Sequence, residues 1–264
     1  MKSFISRVGF LVCLMTAVLS ACSTPEFVEE DRETTSKENP DIQRRAAIRL
    51  QLAIEYYQQN QHKLALEEIR SVLLISPGLL EAYSLRALIH MDTGDIQRAE
   101  ENFVHALKLA PNNSEVANNY GWFLCQNGRE KQAMGYFEKV LSDRTYPTPV
   151  KAMSNAGVCS LRLKDINNAE RYFLLAYAED PGNPSLNANL AKVYHDKAQY
   201  EKAKFYIRRV LKDEIFAVDV LWLAIKIENK LSDQAAVDGL ATQLRRRYPN
   251  SKEYALFQRG AFNE

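Results

Sequence analysis

The chain is expected to be all-α: a right-handed superhelical solenoid of about six helix-turn-helix repeats closed by a C-terminal capping helix. Three observations lead there. A 34-residue spacing recurs along the chain, with small residues at one fixed place in each period. Ten glycines and nine prolines are few for 264 residues, which argues for helices and short turns rather than many strands. Lys+Arg 34 against Asp+Glu 33 leaves no net field to draw nucleic acid, which is excluded as a partner on that ground.

Residues 1–21 are set apart from the fold. Lys2 and Arg7 precede the apolar run Val8 to Leu19, too short for a membrane span of ~20 residues. The run ends in Leu19-Ser20-Ala21-Cys22, which resembles a bacterial lipobox. That resemblance implies cleavage before Cys22 and lipid attachment to it; an ordinary secretory signal with a chance cysteine is the alternative. Ser23 stands where an Asp would retain such lipoproteins at the inner membrane, so the resemblance implies the outer membrane, with the body lipid-anchored on its periplasmic face. Several acyl chains anchor stably where one does not.

Residues 22–41 form a polar, mostly acidic stretch with Pro25, Pro40 and no apolar period, a flexible tether by composition. Residues 42–264 hold the repeats. Counted from Ala46, the first places Ala53, Ala65, Ile69 and Pro77 at offsets 7, 19, 23 and 31. From Leu80 the second places Ala87, Ala99, Phe103 and Pro111 there. The third, from Ser114, gives Gly121, Ala133 and Phe137; the fourth, from Val150, gives Gly157, Ala169, Phe173 and Pro181. The fifth, from Pro184, gives Ala191, Ala203 and Ile207; a sixth, over 218–250, keeps only Pro249 firmly. The pattern matches the tetratricopeptide signature, in which helices A and B of each repeat cross closely at offset 7. Gly121 and Gly157 therefore sit where helix B leaves no room for a side chain. Gly94 and Gly128 mark A–B turns that need a positive φ. Extra residues between repeats three and four fall at Asp143 to Pro149. After Pro249, Ser251 is expected to cap a last helix whose Tyr254, Leu256 and Phe257 cover the open end.

No catalytic constellation emerges. His62, His90, His105 and His195 are scattered, no Gly-rich phosphate loop or nucleophile elbow is present, and neither a metal nor a cofactor is expected. Cys159-Ser160 reads as buried helix. Cys125 and Cys159, at offsets 11 and 9 of adjacent A helices, are expected to be free buried thiols rather than a bridge. The chain is thus read as a binding protein with a monomeric body.

In this architecture A helices line the concave face through offsets 4, 8 and 11. Leu50, Ile54 and Tyr57 of repeat one and Leu88 and Met91 of repeat two then form an apolar groove near the tether, for a partner segment unless the chain's own N-terminal region covers it. At offset 5 stand Asn119, Asn155 and Asn189, a ladder suited to a peptide backbone, although Asn is common at this place in the motif. Trp122 is a candidate anchor or an inter-repeat packing residue. Arg208, Arg209 and Arg245 to Arg247 read as a solvated face.

The segments "NNYGWFLCQNGR" (Asn118 to Arg129) and "AMSNAGVCSLRLKDINNAERYF" (Ala152 to Phe173) resemble the type IV pilus biogenesis and stability lipoproteins, the PilW/PilF family. The resemblance implies a pilotin, an outer-membrane adaptor that binds secretin subunits and promotes their localisation and multimerisation. Two other readings stand beside it: a scaffold lipoprotein of outer-membrane protein insertion, and an adaptor of peptidoglycan hydrolases.

Overall fold

Six A–B turns share one backbone device. At offset 14 of each repeat the residue takes a positive φ: Asn60, Gly94, Gly128, Lys164, Ala198 and Ser232, all between 55° and 76°. The amide that follows closes back on the A helix; Asp95 N–H donates to His90 O at 2.8 Å and Asp233 N–H to Glu228 O at 3.0 Å. This is the αL helix stop that satisfies the last orphan carbonyls. Glycine carries it in two repeats only; the others accept a strained φ of roughly 1–2 kcal/mol because the two flanking helices fix the turn. In repeats two, four and six the next residue is Asp95, Asp165 or Asp233, whose carboxylate accepts from the amide three residues on and caps helix B.

The computed structural model describes residues 40–212 and 217–263. Among them are thirteen helices and no strand. Helices A are α1 (Pro40–Gln58), α3 (Leu80–Asp92), α5 (Ser114–Gln126), α7 (Pro149–Arg162), α9 (Pro184–Asp196) and α11 (Val218–Lys230). Helices B are α2 (His62–Ile75), α4 (Ile96–Leu109), α6 (Glu130–Ser142), α8 (Ile166–Glu179), α10 (Tyr200–Val210) and α12 (Gln234–Arg247), and α13 (Lys252–Gln258) follows. The chain is an all-α repeat fold of the solenoid kind. Cys22 and the signal lie outside the described residues, as does the expected tether up to residue 39. Helix α1 takes in Pro40 and Asp41, which the composition assigned to the tether; proline's fixed φ suits the first turn of a helix, and Asp41 favours its N-terminal end. Arg49–Glu264 make up one compact body, while residues 40–48 are the leading turns of α1.

The small-residue rule holds in three dimensions. A methyl group added at Gly121 would lie 2.9 Å from Phe137 Cε1, and at Gly157 2.5 Å from Phe173 Cε1. Both rings are wholly buried on the B helix of the same repeat. In repeat six the sizes are exchanged: Ile225 stands at the small position and Ala241 at the large one, and both are buried. The insertion after α6 is tied down by polar contacts. Ser114 Oγ donates to Asp143 at 2.6 Å, and the Tyr146 hydroxyl donates to Glu115 at 2.9 Å. Beyond α12, Ser251 Oγ accepts from Tyr254 N–H at 3.1 Å, and α13 buries Leu256 against Leu221, Trp222, Ile225 and Leu244. Phe262 stacks on Trp222, with ring centroids 5.8 Å apart.

One expectation is overturned. Cys125 and Cys159 are not free thiols: they form a disulfide between α5 and α7, with Cα atoms 5.8 Å apart. The offset argument failed because an A helix turns opposite sides to its two neighbours. Residues that meet across one interface should differ by about half a turn of the wheel, and offsets 11 and 9 differ by about 200°. The spacing that seemed to separate the cysteines is the spacing that joins them.

Candidate functional site

A helices touch directly at three places, α3 on α5, α5 on α7 and α9 on α11, and their side chains line the compact body there. At its N-terminal end Leu50, Ile54 and Tyr57 are half-buried against the core of Ala53, Ile69, Val72 and Ile89. Leu88 and Met91, also half-buried, pack instead on the next core, around Phe103 and Phe123. The link between the two sets is polar: the Tyr57 hydroxyl donates to Asp92 at 2.7 Å. Burial, reinforced by Asp92, pushes the Tyr57 phenol well above its ordinary range. All five residues keep one side exposed.

The three ladder asparagines are not equivalent. Asn119 is buried; its amide is 3.5 Å from Glu115 and its oxygen accepts from Lys151 at 3.1 Å. Burial opposes ionisation of Glu115, but Lys151, Tyr146 and Asn119 outweigh it and hold the carboxyl below its usual range. Burial, together with Glu115, pushes the Tyr146 phenol up to about 12. Asn155 donates to Asn118 Oδ1 at 3.1 Å. Asn118 is itself wholly buried, and its amide nitrogen has no partner among the described residues. Of these three, Asn189 has no side-chain hydrogen bond among the described residues, and it lines a cavity. Trp122 is half-buried on α5.

That cavity, about 280 Å³, lies between α9 and α11. Lys192 and His195 reach it from offsets 8 and 11 of α9, and Trp222 and Lys226 from offsets 4 and 8 of α11, all places expected to face a partner. The sixth repeat had lost its small-residue signal, so these last two residues went unread. Their offsets alone would have marked them. The basic residues Arg208 and Arg209 are partly engaged in the fold: Arg208 is 3.6 Å from Glu228, and Arg209 donates to Pro181 O at 3.3 Å.

These helix pairs, with a small residue set against a large one at Gly121–Phe137 and Gly157–Phe173 and a lining both polar and apolar, define a helical repeat scaffold. Residues 80–215, about half of the chain, match the tetratricopeptide repeat family, and the chain belongs to that family. Among curated proteins it is 27% identical over 248 residues to the type IV pilus assembly protein PilF of Pseudomonas aeruginosa, covering 94% of this chain and 96% of that one. Among solved structures, that of PilW, a widely conserved type IV pilus biogenesis factor, matches with a TM-score of 0.76 and 32% identity over 81% of this chain and 98% of that one. The Pseudomonas aeruginosa PilF structure matches with a TM-score of 0.77 and 25% identity over 83% and 99%. Within the repeat family the chain is thus a type IV pilus biogenesis protein.

Proposed function

We propose that the protein is a pilotin: a lipoprotein anchored through Cys22 at the outer membrane that binds secretin subunits and promotes their assembly into the pilus pore. Similarity to PilF and PilW over nearly their whole lengths is the observation that carries this reading. The lipobox would set the location and the acidic tether the reach. The half-buried Leu50, Ile54, Tyr57, Leu88 and Met91 would receive an apolar secretin segment, with Asn119, Trp122, Asn155 and Asn189 further along the lining. Pre-ordered helices limit the entropy lost on binding. Covering such a segment would keep secretin monomers from aggregating before the ring closes. The test is Leu50→Glu with Ile54→Glu. Heat-resistant secretin multimers should disappear from envelopes while circular dichroism and the melting profile stay helical and cooperative. Normal multimers with a folded double variant would sink the groove assignment.

A further inference from the structure

The inner line of the A helices changes charge along the stack. Offsets 1, 8 and 12 are seven and four residues apart, so at 3.6 residues per turn they follow nearly one line down a helix. On α3 that line is Glu81, Leu88 and Asp92, and on α5 it is Glu115, Trp122 and Gln126. On α7 it turns basic, with Lys151, Val158 and Arg162. The apolar groove therefore lies where the line carries carboxylates and no basic residue.

The cations around the first three repeats are engaged elsewhere. Arg49 pairs with Glu68 at 2.7 Å, Arg86 donates to Asn102 at 2.6 Å, Arg98 faces Asp95 at 3.4 Å and Arg129 holds Glu100 at 2.5 Å. Lys151 balances Glu115 at 2.7 Å. Arg44 and Arg45 belong to the leading turns of α1, outside the compact body. Glu81 and Asp92, both exposed, pair with no Lys, Arg or His among the described residues.

Asp92 is also fixed in direction. The Tyr57 hydroxyl donates to its Oδ2 at 2.7 Å, which pins the carboxylate where the Leu50, Ile54 and Tyr57 set meets Leu88 and Met91. Burial, with Asp92 beside it, keeps that phenol protonated well above its ordinary range, so the donor persists at any working pH. Oδ1 accepts no hydrogen bond among the described residues. A carboxylate already ordered beside apolar side chains loses little freedom when a cation meets it.

We propose that Asp92 sets the specificity of this groove: the segment received there carries a Lys or Arg beside its apolar side chains. Those apolar side chains rest on Ile54, Tyr57 and Leu88. The basic group reaches Asp92 Oδ1, about 6 Å along α3 from Leu88. Glu81, two turns to the other side of Leu88, completes an acidic border that turns an acidic segment away. This selection deepens the secretin reading above and rests on it.

The probe is the blocked peptide acetyl-Ser-Leu-Lys-Leu-Ser-amide, with Gln or Glu in place of Lys as controls. Each is titrated into the full chain in non-ionic detergent and followed by saturable shifts in the ¹H–¹⁵N spectrum. The Lys peptide should bind about fivefold more tightly than the Gln peptide at low salt, the Glu peptide most weakly, and high salt should erase the differences. Asp92→Asn, which keeps an acceptor for the Tyr57 hydroxyl, should bring the Lys and Gln peptides together. Asp92→Lys should reverse the order of Lys and Glu, with the rest of the spectrum in place to show intact folding. Equal affinity for the Lys and Gln peptides, or a preference that survives in both Asp92 variants, would overturn the proposal and leave the groove standing. Leu50→Gln with Ile54→Gln removes apolar wall without adding charge. If no peptide binds the unmutated chain, or all bind this double variant as tightly, the groove reading falls and the selection by Asp92 with it.

Discussion

Cutting the Cys125–Cys159 bridge is the most direct perturbation of the body. The two cysteines are 34 residues apart in the chain, so the disulfide closes a loop of that length in the unfolded state. On the chain-entropy relation such a loop stabilises the folded state by about 4 kcal/mol at 25 °C. Both sulfurs belong to residues buried at 0% exposure, so Cys→Ser adds a buried hydroxyl at each end. The cleaner perturbation is therefore reduction of the unmutated chain. Urea unfolding of the oxidised and the thoroughly reduced protein, followed by far-UV circular dichroism, should differ by ~2–4 kcal/mol. For a body of this size that is a fall in melting temperature of roughly 5–15 °C. The loss should concentrate at the α5–α7 contact, because in a repeat stack each repeat leans only on its neighbours. Superimposable curves, or two alkylatable thiols at 125 and 159 in the denatured but unreduced protein, would refute the reasoning.

Three further outcomes follow from local geometry. Gly157→Ala should destabilise by ~1–2 kcal/mol and Gly121→Ala by less than ~1, since a methyl meets the Phe173 ring at 2.5 Å but Phe137 at 2.9 Å, and the gain in helix propensity offsets only part of the overpacking; urea midpoints would rank them. Ala198→Gly should raise stability by ~1 kcal/mol and Gly94→Ala lower it by about as much, because both positions hold a positive φ and only glycine is unstrained there; equal signs in thermal melts would contradict the turn account. Arg129 and the Tyr120 hydroxyl hold the Glu100 carboxyl below its ordinary value, so their contribution is present above the unfolded pKa of ~4.3 and fades as pH falls through the lower folded value. Arg129→Met should therefore cost up to ~1 kcal/mol at pH 7 and almost nothing near pH 2, read from stability against pH.

Much of the fold was legible because its steric demand repeats. Gly121 between Tyr120 and Trp122 makes sense only if a large residue comes against it, and Phe137 supplies the ring sixteen residues later. The same logic failed in repeat six, where Ile225 and Ala241 exchange sizes and both are buried, so that a search for a small residue at offset 7 misses the pair. Four of the six A–B turns were hidden for a related reason. Asn60, Lys164, Ala198 and Ser232 adopt a conformation that glycine advertises and that they reach only under tertiary constraint. The cysteine pair was misread by comparing faces on one wheel, when two neighbouring helices present opposite sides to each other. At the candidate site, Leu50, Ile54 and Tyr57 could be picked out by offset. That Asn119 is occupied by Lys151 and Glu115 could not, since Lys151 comes from the next repeat. That the buried Trp222 indole N–H has no hydrogen-bond partner among the described residues is likewise a property of packing, with no trace in the order of residues.

The central claim, that this repeat protein delivers secretin subunits to the outer membrane, is tested most directly by co-purification. Detergent-solubilised envelopes carrying the intact chain or its Cys22→Ala version would be captured on the protein and read by mass spectrometry, with secretin multimers followed on a heated gel. The account predicts that a secretin dominates the intact capture and that its heat-resistant multimers vanish with Cys22→Ala. Capture dominated by a β-barrel insertase or by cell-wall hydrolases, with multimers unchanged, would contradict it.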